Sequence, residues 1–172
     1  MLEIYHGDGK GKTTAGVGLC LRAAGAGFSV WFFQFMKDGT SAEIPMLSKI
    51  DGIHVVYSDV FFGFTKNMTQ EQKQQMKEQY KKMLQKAEEI AKNSEKETLI
   101  VLDEVLHACN QKLLDQKVLR KFLAIYKDQI EIVLTGRNPS KDLMDLSDYI
   151  SEVKKQKHPY DRGITARKGI EF

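Results

Sequence analysis

Three groups of residues in this chain have the types and spacing that phosphate and metal chemistry requires. The first is the run Gly7-Asp8-Gly9-Lys10-Gly11-Lys12-Thr13-Thr14, which follows a short apolar segment and opens a helical pattern. Glycines let consecutive backbone N–H groups face an anion, a lysine can reach phosphate oxygens, and a hydroxyl can ligate Mg²⁺. We therefore predict a phosphate-binding loop in which Lys12 contacts the phosphates and Thr13 ligates the metal.

The spacing of this loop departs from the general pattern G-x-x-x-x-G-K-[ST] at one position. Gly11, Lys12 and Thr13 match the pattern, but its first glycine would fall on His6, and the chain has Gly7 one residue later. The alternative interpretation is a glycine-rich turn that binds nothing. Because a strand, a loop and a helix coincide with this sequence, phosphate binding is the favoured interpretation.

The second group is a pair of carboxylates, Asp103 and Glu104, at the end of an apolar run that begins at Thr98. Such a pair after a buried strand is the Walker B pattern, in which an acid holds magnesium, directly or through water, beside the loop hydroxyl. We predict that Asp103 ligates the metal and that Glu104 orients a water or a ligand hydroxyl. The alternative is that an acid at the end of the strand caps the following helix.

The third group is cationic and lies in the second half of the chain. Arg137 follows a further apolar run, residues 129–136. A basic segment, residues 154–163 and called the tail below, contains Lys157 and His158. From the residues alone, the tail is either a solvated segment or a cationic lid over phosphates.

Apolar runs and helical patterns alternate along the chain, which predicts an α/β fold. Strands are predicted in residues 2–6, 29–36, 53–57, 98–104, 129–137 and 149–153. Helices are predicted from residue 13 to 24 and over 41–50, 69–93, 105–126 with a break at 110–115, and 141–148. The apolar runs are continuous rather than alternating, as in strands buried in a parallel sheet. We expect one domain over residues 1–172, with a P-loop NTPase-like (RecA-like) three-layer fold around a mainly parallel central sheet. Parallel strands would bring the loop, Asp103 and Arg137 to one edge of that sheet.

Composition narrows the classes of partner. The net charge of +3 is too small to indicate nucleic-acid binding and suits an anionic small molecule equally well. The sequence shows no signal-peptide pattern and no apolar run of the length that spans a membrane. We therefore expect a cytoplasmic protein with neither nucleic acid nor membrane as a partner.

Residues 59–66 form an aromatic loop that combines Phe61, Phe62 and Phe64 without any periodicity. Loops are normally polar and exposed. This loop therefore either folds back into the core or presents an apolar surface to a large ligand or partner. The residues alone do not decide between the two.

Together these motifs resemble the P-loop ATP:corrinoid adenosyltransferases of the cobalamin pathway, over nearly the whole chain. The matching stretches are the phosphate-binding loop, Arg22, residues 30–37, 63–65, 101–104, 134–137, 142–148 and 157–161, and Gly163. The loop is specific to this family when Thr135-Gly136-Arg137 and Lys157-His158 follow it in this order. The short loop looks like the family's own version.

The resemblance implies a reaction in which cobalt(I) of a reduced corrinoid attacks the 5′ carbon of ATP and triphosphate leaves. Cobalt(I) is itself the nucleophile, so no protein base or nucleophile is needed. The residues that would bind ATP are the eight loop residues, Arg22, Glu104, Arg137, Lys157 and His158. Thr13 and Asp103 would hold Mg²⁺, or alternatively Mn²⁺.

The resemblance also implies catalytic roles and partners. Lys12 and Arg137 would stabilise charge on the leaving triphosphate. Phe64 matches a family aromatic that displaces the lower axial ligand of cobalt(II), which makes reduction to cobalt(I) accessible. A homodimer and a reductase or flavin electron donor are expected.

The chain departs from the family pattern at two places. Lys66 stands where some members carry a tryptophan, and many members begin with an additional N-terminal segment that helps cover the corrinoid. Phe61 or Phe62 would then substitute for the missing aromatic side chain. Two other functions stay open, a kinase or NTPase acting on the γ-phosphate and a non-catalytic nucleotide-binding module.

Overall fold

The chain folds around a central parallel β-sheet. The computed structural model describes residues 1–63, 65–94 and 97–171. In these ranges the strands are β1 (Leu2–His6), β2 (Ser29–Gln34), β3 (Ile53–Tyr57), β4 (Thr98–Asp103), β5 (Glu131–Gly136) and β6 (Tyr149–Glu152). They form one six-stranded sheet in the order β3-β2-β4-β5-β1-β6, and every neighbouring pair is parallel. The predicted parallel sheet is confirmed.

The helices lie between the strands, as the alternating pattern predicts. They are α1 (Lys12–Gly25), α2 (Ile44–Leu47), α3 (Gln70–Asn93), α4 (Val105–Asn110), α5 (Gln116–Tyr126) and α6 (Lys141–Leu146), with short 3₁₀ turns at Thr65–Asn67 and Pro159–Arg162. Helix α3 begins with a capping box, in which Thr69 and Gln72 each accept a backbone N–H of the other. The predicted break in residues 110–115 separates α4 from α5. No helix in the described ranges combines the length and the apolar character that crossing a membrane requires.

Helices cover both faces of the sheet. Neighbouring residues of each buried strand point to opposite faces, and both sets are apolar, so both faces must be buried. On one face, Val30 and Phe32 of β2 pack with buried residues of α1 and α2. On the other face, Phe33 and Phe35 pack with buried residues of α3, α4 and α5. Two apolar layers thus enclose the sheet, and the predicted three-layer, P-loop NTPase-like fold class is confirmed.

The sheet order determines which residues meet at the carboxyl ends of the strands. Strand β5 lies between β1 and β4, so a single strand separates the loop after β1 from the acids after β4. The register pairs His6 with Gly136 and Gln34 with Asp103. The phosphate-binding loop, Asp103 and Arg137 therefore lie along one edge, as the sequence predicts.

Candidate active site

The phosphate-binding loop connects β1 to the amino terminus of α1. Gly11 precedes the helix with φ +124°, a conformation that side-chain-bearing residues rarely adopt. Apart from its own chain neighbours, no described residue has an atom within 4 Å of where its Cβ would stand. The first helical hydrogen bond runs from the Ala15 N–H to the Gly11 carbonyl, 2.8 Å. The N–H groups of Lys12, Thr13 and Thr14 precede it, which is where a helix offers backbone donors to an anion.

Lys12 lies folded back over this loop. Its Nζ donates a hydrogen bond to the Gly9 carbonyl oxygen at 2.7 Å, and the residue is 7% exposed. Burial lowers the pKa of Lys12, while the carboxylate of Glu104 opposes that shift. Lys12 is therefore a partly desolvated cation held at the mouth of the loop, where its charge acts strongly on an anion.

Gly7 and Gly9 are glycines for a reason that the sequence does not reveal. A Cβ on Gly7 would lie 2.4 Å from the carbonyl oxygen of Val153, and one on Gly9 would lie 2.8 Å from it. The Gly9 N–H donates to this same oxygen at 2.8 Å, and the Val153 N–H donates to the His6 carbonyl at 2.7 Å. The end of β6 thus supports the loop, and the missing side chains at these two positions make room for that strand.

One threonine hydroxyl organises both acids at the end of β4. Thr135 Oγ1 donates to Asp103 Oδ1 at 2.7 Å and accepts the backbone N–H of Glu104 at 2.9 Å. Glu104 has φ +58°, a left-handed conformation that costs of order 1–3 kcal/mol for a residue other than glycine. Its side chain makes no capping hydrogen bond to α4, so the capping alternative is wrong. The strained backbone instead turns Glu104 into the site.

Lys37 and Gln34 join the site at the end of β2. Lys37 Nζ lies 3.3 Å from Asp103 Oδ2 and 3.8 Å from Glu43 Oε1. Gln34 is fully buried, its Nε2 donates to Glu43 Oε1 at 3.2 Å, and its Oε1 has no hydrogen-bond partner among the described residues. A buried acceptor without a donor beside Asp103 is a place where a ligand or an ordered water would bind favourably.

Arg137 projects from the edge on a short loop after β5. Gly136 precedes it with φ +141°, and a Cβ there would lie 2.7 Å from the Cβ of Leu106. Asn110 Nδ2 donates to the Arg137 carbonyl at 2.8 Å, which ties this loop to the end of α4. Arg137 itself is exposed. Its backbone is therefore fixed while its guanidinium is accessible to a ligand.

The tail passes beside the phosphate-binding loop. The backbone N–H of Lys155 donates to Asp8 Oδ1 at 3.0 Å, and this hydrogen bond is the main cause that lowers the pKa of Asp8. Lys157 is exposed, and His158 Nδ1 accepts the Tyr160 N–H at 3.2 Å. The structure thus attaches the start of the tail to the loop at Asp8, and the predicted roles of Lys157 and His158 stay predictions.

A cavity of about 710 Å³ opens beside the acids and reaches the aromatic loop. Its walls include Met36, Lys37, Phe61, Lys66, Glu104 and Arg137. Phe61 and Phe62 are half-buried and also pack against the core. The aromatic loop therefore folds onto the core and presents Phe61 to this cavity, so both alternatives left open by the sequence contribute.

Two predicted site residues are not placed with the others. Arg22 lies in the last turn of α1, about 15 Å along the helix axis from Lys12, and its charge acts on Tyr5 instead. Its predicted role in binding ATP stays a prediction. Phe64 lies outside the described residues, although Gly63 and Thr65 on either side of it line the cavity.

Glu104 offers a test of the electrostatics of the metal-free protein. Burial raises the pKa of Glu104, and the neighbouring charge of Asp103 raises it further. The pKa of Glu104 is higher in the folded than in the unfolded protein. The contribution of Glu104 to folding stability is therefore fully present below the usual carboxyl pKa and is lost as pH rises through the raised value. Replacing Glu104 with glutamine is therefore expected to raise Tm by about 2–4 °C at pH 8 and to leave it unchanged at pH 4.

This expectation is checked by thermal unfolding in a buffer that contains a metal chelator. Glu89, an exposed acid on α3, provides the matched Glu89→Gln control, which should change Tm at neither pH. A Glu104→Gln protein that is less stable than wild type at pH 8 would show that the carboxylate is stabilised by its cationic neighbours.

The comparisons with known proteins agree with this site. A family model described as ATP:corrinoid adenosyltransferase BtuR/CobO/CobP matches residues 1–172. The corrinoid adenosyltransferase of a Sinorhizobium species is 32% identical over 174 residues, which cover 100% of this chain and 80% of the relative. Corrinoid adenosyltransferase CobA of Salmonella typhimurium is 30% identical over 174 residues, 100% of this chain and 85% of the relative. Among solved structures, ATPases 2 and 3 of EssC from Geobacillus thermodenitrificans superpose with a TM-score of 0.48 at 14% identity, over 99% of this chain and 36% of that chain, and this likeness adds nothing to the assignment.

The structure defines an α/β protein in which the glycine loop, the acid pair and a cavity lie together at the carboxyl edge of a parallel sheet. The chain belongs to the ATP:corrinoid adenosyltransferase family. It is a transferase that moves an adenosyl group from ATP to a corrinoid.

Proposed function

We propose that this chain transfers the 5′-deoxyadenosyl group of ATP to cobalt(I) of a reduced corrinoid and releases triphosphate, in the biosynthesis or salvage of adenosylcobalamin. The Co–C bond forms as the C5′–O bond breaks, and the electron pair of that bond leaves with the triphosphate. The protein must therefore hold two large substrates with cobalt and the 5′ carbon in contact, and stabilise the negative charge that develops on the leaving group.

The observation that carries this proposal is that two side chains belong to both halves of the site. Glu104 and Arg137 line the cavity, and the charges of both also act on Lys12 in the phosphate-binding loop. A corrinoid in the cavity and a nucleotide on the loop would thus meet at these two residues. The cavity also presents Met36 and Phe61, the apolar and aromatic surface that a flat macrocycle needs.

The donor set at the edge fits a magnesium ion. In the described ranges, no group of three or more His, Cys, Asp or Glu side chains could hold a metal on its own. Mg²⁺ characteristically uses one or two carboxylates and keeps waters and substrate phosphates as its other ligands. Asp103 and the Thr13 hydroxyl would hold it, and the orphaned Gln34 Oε1 beside Asp103 would accept a hydrogen bond from its water. Bound there, the ion would neutralise charge on the triphosphate.

The roles of the chain's own residues follow from their positions. Backbone N–H groups of the loop and the charge of Lys12 would bind the triphosphate, and Arg137 would add charge from the opposite side. Glu104 would accept a hydrogen bond from a ribose hydroxyl. Phe61 would exclude water from the axial position of cobalt, which favours the four-coordinate state that is easier to reduce.

The two phenylalanines of the aromatic loop provide a matched pair of variants. Phe61 lines the cavity, whereas Phe62 contributes to the core packing without lining it. We expect Phe61→Ala to lower kcat/KM for the corrinoid by about tenfold, which corresponds to about 1.4 kcal/mol of lost transition-state binding. Both side chains pack against the core, so Phe62→Ala should lower Tm about as much as Phe61→Ala does. Phe62→Ala should nevertheless leave kcat/KM close to wild type. Equal kinetic losses in both variants would assign Phe61 to the core alone.

The function is tested by mixing the protein anaerobically with ATP, Mg²⁺ and chemically reduced cobalamin. The expected result is conversion of the cobalt(I) spectrum to that of adenosylcobalamin, with one triphosphate released for each adenosyl group transferred. Release of ADP with an unchanged corrinoid would instead support the kinase or NTPase alternative. Bound ATP with neither product would support a nucleotide-binding module. A homodimer and a reductase or flavin electron donor are part of the same proposal.

A further inference from the structure

Asp8 is an unexpected residue in a loop that binds anions. A carboxylate close to a triphosphate repels it, so a second role must offset that cost. The structure provides such a role, because Asp8 Oδ1 accepts the backbone N–H of Lys155 at 3.0 Å across 147 residues of sequence. The charges of Lys155 and Arg137 also act on Asp8. The carboxylate therefore faces the tail and its cations.

The tail is attached to the loop at two adjacent points. The Gly9 N–H donates to the Val153 carbonyl at 2.8 Å, immediately before the tail begins. Asp8 then holds Lys155, whose Nζ lies 3.0 Å from Asp161 Oδ1 and so links the start of the tail to the 3₁₀ turn that follows. Beyond Lys155 the chain has left the sheet, so these polar contacts determine its direction.

Lys157 and His158 lie close to this attachment. His158 is three residues beyond Lys155, so its backbone is within about 11 Å of the Asp8 contact. His158 Nδ1 accepts the Tyr160 N–H at 3.2 Å, which places the ring proton on Nε2 and makes that atom a donor. An ammonium group and an imidazole N–H are thus carried on the segment that Asp8 attaches to the phosphate-binding loop.

We propose that Asp8 is a positioning residue, which docks the tail on the phosphate-binding loop and thereby holds Lys157 and His158 against the nucleotide. It acts through the tail and does not bind the nucleotide itself. This inference rests on the proposed function only in taking ATP as the ligand.

Docking is tested first without nucleotide, by limited trypsin digestion followed by mass spectrometry. Cleavage after Lys154, Lys155 and Lys157 reports how often the tail leaves the loop, since proteolysis tracks the open population. Asp8→Ala is expected to speed this cleavage about tenfold, the effect of losing one charge-assisted hydrogen bond. Asp8→Asn keeps the acceptor oxygen without its charge and should give a cleavage rate between those of wild type and Asp8→Ala. Asp128→Ala, an exposed acid elsewhere, is the control. Equal cleavage rates in all four proteins would overturn the proposal.

Positioning is tested next by a double-mutant cycle on ATP affinity, measured by calorimetry without corrinoid. Asp8→Ala and the pair Lys157→Ala with His158→Ala are each expected to weaken binding about tenfold. The combined variant should be no weaker than the tail pair alone, because Asp8 acts through those side chains. Additive losses of ATP affinity would mean that Asp8 contacts the nucleotide directly. Unchanged ATP affinity in the Lys157→Ala, His158→Ala variant would mean that the tail does not contact the nucleotide. Either result overturns the proposal. A protein that binds ATP but transfers no adenosyl group would leave this inference standing and refute the proposed function alone.

Discussion

Replacing Lys12 with alanine is expected to lower the rate of adenosyl transfer by about 10³-fold, the largest effect of any single change in this chain. The ammonium group lies at the mouth of the loop, where it donates a hydrogen bond to the Gly9 carbonyl, and Lys12 as a whole residue is 7% exposed. In such a desolvated place its charge stabilises a leaving triphosphate far more than it would in water. The measurement is single-turnover formation of adenosylcobalamin at saturating ATP.

The control for this variant is Lys121→Ala, which removes an exposed lysine of α5 far from the edge. Circular dichroism and Tm should show that the Lys12 variant is folded, because alanine is compatible with the first turn of a helix. A variant that binds ATP weakly but reacts at the wild-type rate once saturated would assign Lys12 to uniform binding rather than to the transition state.

Replacing Asp103 with asparagine is expected to lower the rate by about 10²–10³-fold and to raise the Mg²⁺ concentration needed for half-maximal activity. Asparagine retains an oxygen that can accept the Thr135 hydroxyl, which now donates to Asp103 Oδ1 at 2.7 Å. The variant can therefore keep the hydrogen bond that organises the acid pair. It replaces Oδ2, which lies 3.3 Å from Lys37 Nζ, with an amide nitrogen that neither carries charge nor ligates a metal. The measurement is activity over a titration of Mg²⁺ at fixed ATP.

A second readout separates metal binding from catalysis. Wild-type Tm should rise with Mg²⁺ in the presence of a non-hydrolysable ATP analogue, because a ligand that binds the folded state stabilises it. The rise should be much smaller in Asp103→Asn, and Asp128→Asn should behave as wild type. An unchanged dependence on Mg²⁺ in both experiments would remove Asp103 from the metal site.

The sequence was sufficient to predict the elements and the edge at which they meet. Continuous apolar runs such as Thr98–Asp103 indicate strands buried on both faces, and the structure buries every residue of that strand. The capping residues Thr69 and Gln72 predict the start of α3 within one residue. These signals are local, because hydrophobic periodicity and capping chemistry depend on residues close in sequence.

The contacts that shape the site could not be predicted in the same way, because they join distant residues. Nothing in the sequence connects Gly7 or Gly9 to Val153, whose carbonyl takes the space that a Cβ would need. Thr135 belongs to a recognised motif, yet its bridge between Asp103 and Glu104 depends on β4 and β5 being neighbours. Lys37 follows a predicted strand, but its partner lies 66 residues further along the chain.

The Lys37 ammonium contacts one oxygen of Asp103, the carboxylate that we propose as a magnesium ligand. Asp103 is fully buried, its Oδ1 is committed to Thr135, and its Oδ2 is held by the Lys37 ammonium at 3.3 Å. A divalent cation that binds Asp103 through Oδ2 would displace the Lys37 ammonium. Lys37 already lines the cavity and lies 3.8 Å from Glu43 Oε1. Metal binding on the phosphate side would therefore free its positive charge on the side where the corrinoid would bind. Metal binding at the phosphate-binding half of the site would then change the charge in the corrinoid-binding half before the two substrates come into contact.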